Sequence, residues 1–426
     1  MIATLPPAVL TSERLVARDK GLPTRAAGMT IAEFLATSPV LSEFWTPLVV
    51  LDDAAMRHNS TVMSEWCRAR GLELMPHGKT TMAPALWQRQ LDDGCLGITL
   101  ATMGQVRTAR GLGFDSIMLA NAVVDPRSLA YLAAESADTG LRFVCWADSL
   151  ETVDAMERTL LEVGTPRPID VCVELGAAGG RTGARTMAEA IRVAERLSES
   201  SVLRLAGVAG YEGSLAHDRS GAALDRVHAY LEQQVELHES IRHLYDEGEL
   251  YVTAGGSAYF DLVADVYAAA RRDDDRTRFV VRSGAYIVHD DGFYRQISPF
   301  DEARESDDSP RFVPAMRGIA RVVSHPEAAL ALLDGGKRDF PYDEGLPIPR
   351  RAAADLDGPW SALENASISA MNDQHSYLRL GAPVPIGSVV ALGLSHPCTA
   401  FDKWRVLPVV ASADSELVVD LVRTYF

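Results

Sequence analysis

The residues most able to do chemistry begin with Lys79, in the stretch Glu73-Leu74-Met75-Pro76-His77-Gly78-Lys79-Thr80-Thr81-Met82-Ala83-Pro84. An apolar strand ends at Pro76 and a helix can start near Pro84, so Lys79 falls in a strand-to-helix loop. At the C-terminal mouth of a parallel barrel strand, such a lysine is partly desolvated, its pKa falls, and its amine can form a Schiff base. The same spacing is met by a surface lysine in a loop. In Thr253-Ala254-Gly255-Gly256-Ser257, two glycines let the backbone approach an anion, and their N–H groups with the Ser257 hydroxyl can cradle a phosphate. An ordinary glycine turn reads identically. Arg181, between glycines after a strand ending in Glu174-Leu175, can bind a carboxylate or serve as a structural ion pair. Tyr211, in a comparable strand-end position, can pack on a bound ring or fill the core. His396 and Cys398 stand two apart, the spacing that puts two side chains on one face of an extended segment. Imidazole and thiolate together suit zinc.

The elements that must position these residues follow from the apolar pattern. From Pro47 to about Tyr286, strand-like runs alternate with amphipathic stretches of helical length such as Asp53–Arg70 and Ala222–Asp246. The runs are Leu48–Leu51, Leu72–Met75, Gly97–Ala101, Ser116–Ala120, Arg142–Trp146, Asp170–Leu175, Leu205–Ala209, Leu250–Thr253 and Arg278–Arg282. Continuous apolar strands separated by helices imply a parallel sheet buried on both faces. The expected fold is α/β, a TIM-type (β/α)8 barrel over 47–285, with a doubly wound sheet as the alternative. Nine runs are one more than such a barrel holds, so one must leave it. Beyond this point the runs become short and turn-rich: Phe312–Val323, Ala366–Met371, Ser376–Leu380, Ser388–Leu392, Arg405–Val410 and Leu417–Val422. They predict an antiparallel β domain over 286–426, with loops at Asp301–Pro310 and Asp334–Gly358. The segment 1–46 is expected to pack on that β domain and to contain a helix over Thr30–Ala36.

Composition narrows the function classes. A formal charge of −17 on 426 residues repels phosphate backbones, which argues against nucleic acid and anionic membrane surfaces as partners. No apolar run approaches the roughly 20 residues needed to cross a bilayer. The first twenty residues lack the pattern of a secretory leader. Five cysteines, Cys67, Cys95, Cys145, Cys172 and Cys398, form no CxxC pair. That usage fits a cytoplasmic protein rather than a disulfide framework.

Pro76-His77-Gly78-Lys79-Thr80 resembles the Pro-His-x-Lys-Thr stretch of the fold-type III pyridoxal-phosphate enzymes, which have an alanine racemase-like N-terminal barrel. More narrowly, it resembles the D-serine dehydratase and D-threonine aldolase branch. Thr46–Asp52 looks like that family's first barrel strand. Gly97–Thr102, Gly179-Gly180-Arg181-Thr182-Gly183 and Gly210-Tyr211-Glu212-Gly213 look like later markers. Gly393–Thr399 resembles the C-terminal His-x-Cys zinc motif of D-serine dehydratases, where D-threonine aldolases usually carry His-x-Asp. The resemblance runs from Thr46 to Trp404. It implies pyridoxal 5′-phosphate on Lys79, which would also act as base at Cα. His77, Thr102, Arg181, Tyr211, Gly255, Gly256 and Ser257 would line the cofactor. His396 and Cys398 would hold a divalent metal, zinc being favoured over manganese or magnesium. Asn372-Asp373-Gln374-His375 resembles a segment near that metal, so His375 is a candidate base or substrate contact, or a structural histidine. The implied activity is metal-assisted dehydration of a β-hydroxy D-amino acid, such as D-serine or D-threonine, to a 2-oxo acid and ammonia by a homodimer. Retro-aldol cleavage is the alternative, followed by amino-acid racemisation and by a non-catalytic cofactor carrier.

Overall fold

A computed structural model of the protein describes residues 12–271, 275–301 and 310–426. Expectations for 1–11, for 272–274 and for the interior of the Asp301–Pro310 loop lie outside the described residues. The chain clusters into two units, one made of Ser64–Lys79 and Gln90–Gly284, the other of the described residues up to Met63, Thr80–Arg89 and Ala285–Phe426.

Strand β1 (Leu48–Asp52) is fully buried yet takes no part in the first unit's sheet. That sheet has eight strands: β2 (Glu73–Leu74), β3 (Ile98–Leu100), β4 (Ser116–Ala122), β5 (Arg142–Ala147), β6 (Ile169–Leu175), β7 (Leu203–Gly210), β8 (Leu250–Ala254) and β9 (Thr277–Val281). Their order is β2-β9-β8-β7-β6-β5-β4-β3, and every pair is parallel. The ends of the sheet meet through a parallel bridge between His77 and Thr99, with Thr99 N–H donating to Pro76 O at 2.9 Å. This bridge makes a closed barrel and sets aside the doubly wound alternative. Met75, Met118, Val144, Trp146, Cys172, Ala206, Tyr251 and Val280 are buried together as one core cluster, as the lumen of a small barrel requires. Helices begin where the sequence offers a cap: Asp125, Ser149, Thr186 and Ser220 each accept a backbone N–H of the first turn.

The second unit carries a ten-stranded sheet. It contains β10 (Met316–Glu327), β11 (Leu330–Leu333), β12 (Ile348–Ala353), β13 (Ser361–Ala362), β14 (Ser367–Met371), β15 (Ser376–Arg379), β16 (Val389–Gly393), β17 (Val406–Val410) and β18 (Val418–Arg423). Strand β1 lies between β10 and β17 in it. The pairing is antiparallel except for β1 against β17. Leu48–Leu51 is therefore the run that leaves the barrel. A strand covered on both faces reads the same in any sheet, which is why its composition could not separate the two homes. Asp334–Gly358, expected as a loop, contains β12, whose residues Ile348–Ala353 include two arginines and a proline.

The described N-terminal residues pack on this sheet. A helix over Ile31–Leu35 is capped by Thr30 in a capping box with Glu33, and Leu15, Ile31, Phe34, Leu41 and Phe44 join Leu48, Val50, Ile319, Val406 and Leu421 in one core. The start of the helix Asp53–Ala69 and the segment Thr80–Arg89 also belong to this unit, a division that differs from a cut at residue 47. The reason is polar as well as apolar: Asp53 pairs with Arg89 at 2.7 Å, and Asn59 donates to Val313 O at 2.8 Å.

Candidate active site

Because the eight barrel strands are parallel, the residues that follow them gather at one end of the first unit. Lys79 sits in a single 3-10 turn, Gly78–Thr80, just after β2. His77 is fixed by its own backbone, which donates to Arg282 O at 3.0 Å, and Gly284 has no room for a Cβ because His77 O would lie 2.5 Å from it. The Nδ1 of His77 is sealed from solvent and has no hydrogen-bond partner among the described residues. Burial, reinforced by the positive charges of Lys79, Arg282 and Arg181, holds the His77 pKa well below that of an ordinary histidine. The ring is therefore neutral at physiological pH.

Arg282, at the end of β9, is buried. Its guanidinium donates to Thr253 Oγ1 at 2.6 Å and Gly210 O at 2.5 Å and lies 4.8 Å from the centre of the Trp146 ring. Burial pulls its pKa down, and Glu212 is the foremost charge acting against that pull. Glu212, wholly buried, accepts from Gly255 N–H at 2.9 Å and Gly256 N–H at 2.5 Å. Here the structure differs from the expectation of two N–H groups open to a phosphate: both are engaged by a carboxylate, which fixes the loop and leaves Ser257 beyond it. Glu174 accepts from Thr182 Oγ1 at 2.7 Å, and burial raises its pKa.

Arg181 is exposed, in a loop where Gly179 and Gly183 adopt φ of +75° and +100°, and its guanidinium lies 4.7 Å from the Tyr211 ring centre. The structure thus brings Lys79, His77, Arg181 and Tyr211 into one electrostatic neighbourhood with Arg282. Thr102 has a local duty instead: it caps the helix Met103–Gly111 by accepting from Gln105 N–H at 3.3 Å.

In the second unit, His396 and Cys398 do not lie on an extended segment. His396 has φ +47° and precedes the short helix Pro397–Phe401, which contains Cys398. The two side chains meet through this left-handed turn, and their hydrogen bond is the main cause that pushes the His396 pKa up to about 9. Nδ1 of His396 lies 2.5 Å from Asp343 Oδ2, Asp343 Oδ1 accepts from Thr399 Oγ1 at 2.7 Å, and the His396 N–H donates to buried Asp290. Cys398 Sγ contacts Thr80 Oγ1 at 3.5 Å. Among the described residues no group of three or more His, Cys, Asp and Glu side chains is arranged to hold a metal. His375 occupies an exposed turn between β14 and β15, where its carbonyl accepts from Asn372 N–H at 2.8 Å.

Four residues of these two sites escaped the sequence reading. Glu212 was in view inside Gly210–Gly213, and Arg282 closes an apolar run. Glu174 likewise ends a run, whereas Asp343 carries no local signal.

Comparison with known proteins gives a concordant pattern. Residues 51–271 match the alanine racemase N-terminal domain, and residues 315–410 match a serine dehydratase-like domain. The chain is 27% identical over 373 residues to a D-threonine aldolase of Arthrobacter sp, covering 86% of this chain and 89% of that one. It is 25% identical over 316 residues to a 3-hydroxy-D-aspartate aldolase of Paracoccus denitrificans, covering 72% and 76%. Its fold matches the crystal structure of D-threonine aldolase from Filomicrobium marinum with a TM-score of 0.76, 22% identity, and coverage of 91% and 97%. It also matches a metal-free cysteine-to-alanine mutant of D-threo-3-hydroxyaspartate dehydratase with a TM-score of 0.70, 21% identity, and coverage of 91% and 99%. No described helix is long and apolar enough to cross a membrane.

Proposed function

We propose a function from one premise: the chain belongs to the alanine racemase N-terminal domain family. The reading is a pyridoxal 5′-phosphate-dependent lyase that dehydrates β-hydroxy D-amino acids. The observation that carries dehydration is the His396–Cys398 pair with Asp343 behind it. A racemase has no need of such a donor set, and a simple cofactor carrier has no need of the domain that builds it.

The cofactor fits the barrel mouth. Lys79, Arg181 and Arg282 all act on neutral His77, so cations are available to an anionic phosphate beside the carboxylates of Glu174 and Glu212, and the sealed Nδ1 of His77 awaits a polar partner. When bound, the cofactor supplies an electron sink for charge developing at Cα. The protein's residues then have separate tasks. Lys79 Nζ would hold the cofactor and, once displaced from it by the substrate amine, would be free to take the Cα proton. His77 gives or takes one hydrogen bond without adding charge. Arg181, exposed above Tyr211, offers a guanidinium to the substrate carboxylate. Glu212 positions Gly255 and Gly256.

The donors in the second unit fit a divalent metal. Nδ1–H of His396 donates to Asp343, so Nε2 is the nitrogen that would bind a metal when the metal displaces its proton, an arrangement common behind metal-bound histidines. Imidazole with thiolate favours zinc, with manganese or magnesium as alternatives. With two protein donors, coordination positions remain for water or substrate, and the ion would supply Lewis acidity towards a hydroxyl oxygen.

A second reading has its own support, since the curated relatives at 27% and 25% identity are aldolases. Incubation with D-threonine, with zinc or manganese added, separates the two. Dehydration gives 2-oxobutanoate and ammonia; aldol cleavage gives glycine and acetaldehyde. Glycine as the main product would replace the first reading by the second.

A further inference from the structure

Within the second unit, a cavity of about 190 Å³ opens between Asp52, Asp291, Arg317, Arg350 and Arg351, with Ala413 at its rim. That volume holds about six waters at ~30 Å³ each. Its floor is sheet: on β10, Arg317 stands between Val50 of β1 and Gly393 of β16. Gly393 keeps the floor open, because a Cβ there would lie 2.1 Å from Asp291 Oδ2.

The charges around the cavity do not close. Asp291 takes two arginines, Arg350 at 2.5 and 2.7 Å and Arg295 at 2.5 Å. Arg351 has its own partner in Asp414 at 2.8 Å. The guanidinium of Arg317 has no hydrogen bond or ion pair with a described residue, though Asp52 and Asp414 act on it electrostatically. Burial is the main cause that lowers its pKa, and what remains accessible of it faces this cavity. Among the described residues, the cavity's own lining carries three arginines and two aspartates, and of these guanidinium groups that of Arg317 is the one without a hydrogen-bonded partner. A half-buried guanidinium without a protein acceptor is left to water or to an anion that enters the cavity.

We propose that this cavity is a binding site for one small carboxylate, held by Arg317. A planar guanidinium matches a carboxylate through two parallel hydrogen bonds. A single guanidinium without a hydrogen-bonded partner matches one carboxylate and would leave a phosphate dianion short of a second cation. Pro314 beside the guanidinium suits a short apolar stem behind the head group. The site is built wholly from second-unit residues and uses none of the groups assigned above to cofactor, metal or substrate. It therefore stands whether the enzyme proves a dehydratase or an aldolase.

The test is titration of the full chain with [13C]acetate at constant ionic strength, read by line broadening, with inorganic phosphate in a parallel arm. Wild type should show saturable acetate binding in roughly the millimolar range, as expected for so small a ligand. Arg317→Gln should weaken it at least tenfold. Ala413→Leu, at the exposed rim, should do the same without touching a charge, and decides the matter if Arg317→Gln fails to fold. The loss caused by Arg317→Gln should persist in an Arg181→Gln background, which separates this cavity from the barrel mouth. Non-saturable broadening, equal affinity in Arg317→Gln and wild type, or tighter binding of phosphate than of acetate would each overturn the proposal.

Discussion

At the scale of single residues, type and spacing are informative where chemistry restricts the choice. Lys79, His396 and Cys398 are conspicuous in the sequence because few side chains make a covalent link to a carbonyl or bind a soft metal. Borohydride reduction of the cofactor-loaded protein should attach the cofactor covalently to Lys79, read as a mass increment on the peptide containing it. An increment on another lysine would end the assignment. Cys398→Ala should lose bound metal and turnover by on the order of 10²–10³-fold, the equivalent of several kcal/mol of lost Lewis acidity, while keeping the Lys79 adduct. Glu212 and Arg282 are harder to read. Their importance comes from being buried at strand ends, and sequence alone does not say which strand-end charges are buried. Glu212→Gln offers one oxygen where two N–H groups need acceptors, and it strips Arg282 of a counter-charge. The expected cost is about 1–3 kcal/mol for the orphaned donor. It should appear as a lower melting temperature together with faster loss of cofactor on dialysis.

At the scale of elements, eight of the nine apolar runs become barrel strands and the first does not. The alternation of runs and helices was legible because both faces of each strand are covered. Which strand pairs with which was not, because that depends on contacts distant in sequence: β1 finds β10 some 270 residues later. The left-handed turn at His396 was equally hidden, since any L-residue can stand there only with surrounding support. Some backbone demands have a sequence mark that gains meaning only with the fold. Gly207, in β7, has φ +134°, and a Cβ there would lie 1.9 Å from Tyr251 O on β8. It follows a register shift between Val171 and Cys172, where β7 carries one extra residue. Gly207→Ala should therefore push β7 from β8. The expected loss is about 3 kcal/mol or more, from overpacking added to an unfavourable φ. A denaturation midpoint equal to wild type would show that the strand yields without cost.

At the scale of the whole molecule, the composition gives the sign and size of the net charge but could not show how charge is distributed within. The surplus of acid coexists with arginines enclosed in both units, and with histidines that burial keeps neutral. His289 is one whose titration should be visible in stability. Burial lowers its pKa to about 4, helped by Arg295 and opposed by Asp291, against 6.5 for a free histidine. The folded chain therefore resists protonation that the unfolded chain accepts from pH 6.5 downwards. The unfolded state binds more protons in that window, so stability falls as pH falls from about 6.5 and the loss levels off below about 4. The shift corresponds to about 3 kcal/mol in full, and to about 2 kcal/mol at pH 5. His289 also has φ +27°, so the substitution must tolerate a positive φ. Asparagine does so and does not titrate. Between pH 7.5 and pH 5, thermal unfolding of wild type should drop further than that of His289→Asn, by roughly 4–8 °C for a unit of this size. Parallel curves for the two proteins would mean that His289 takes up its proton inside the folded chain as readily as outside it.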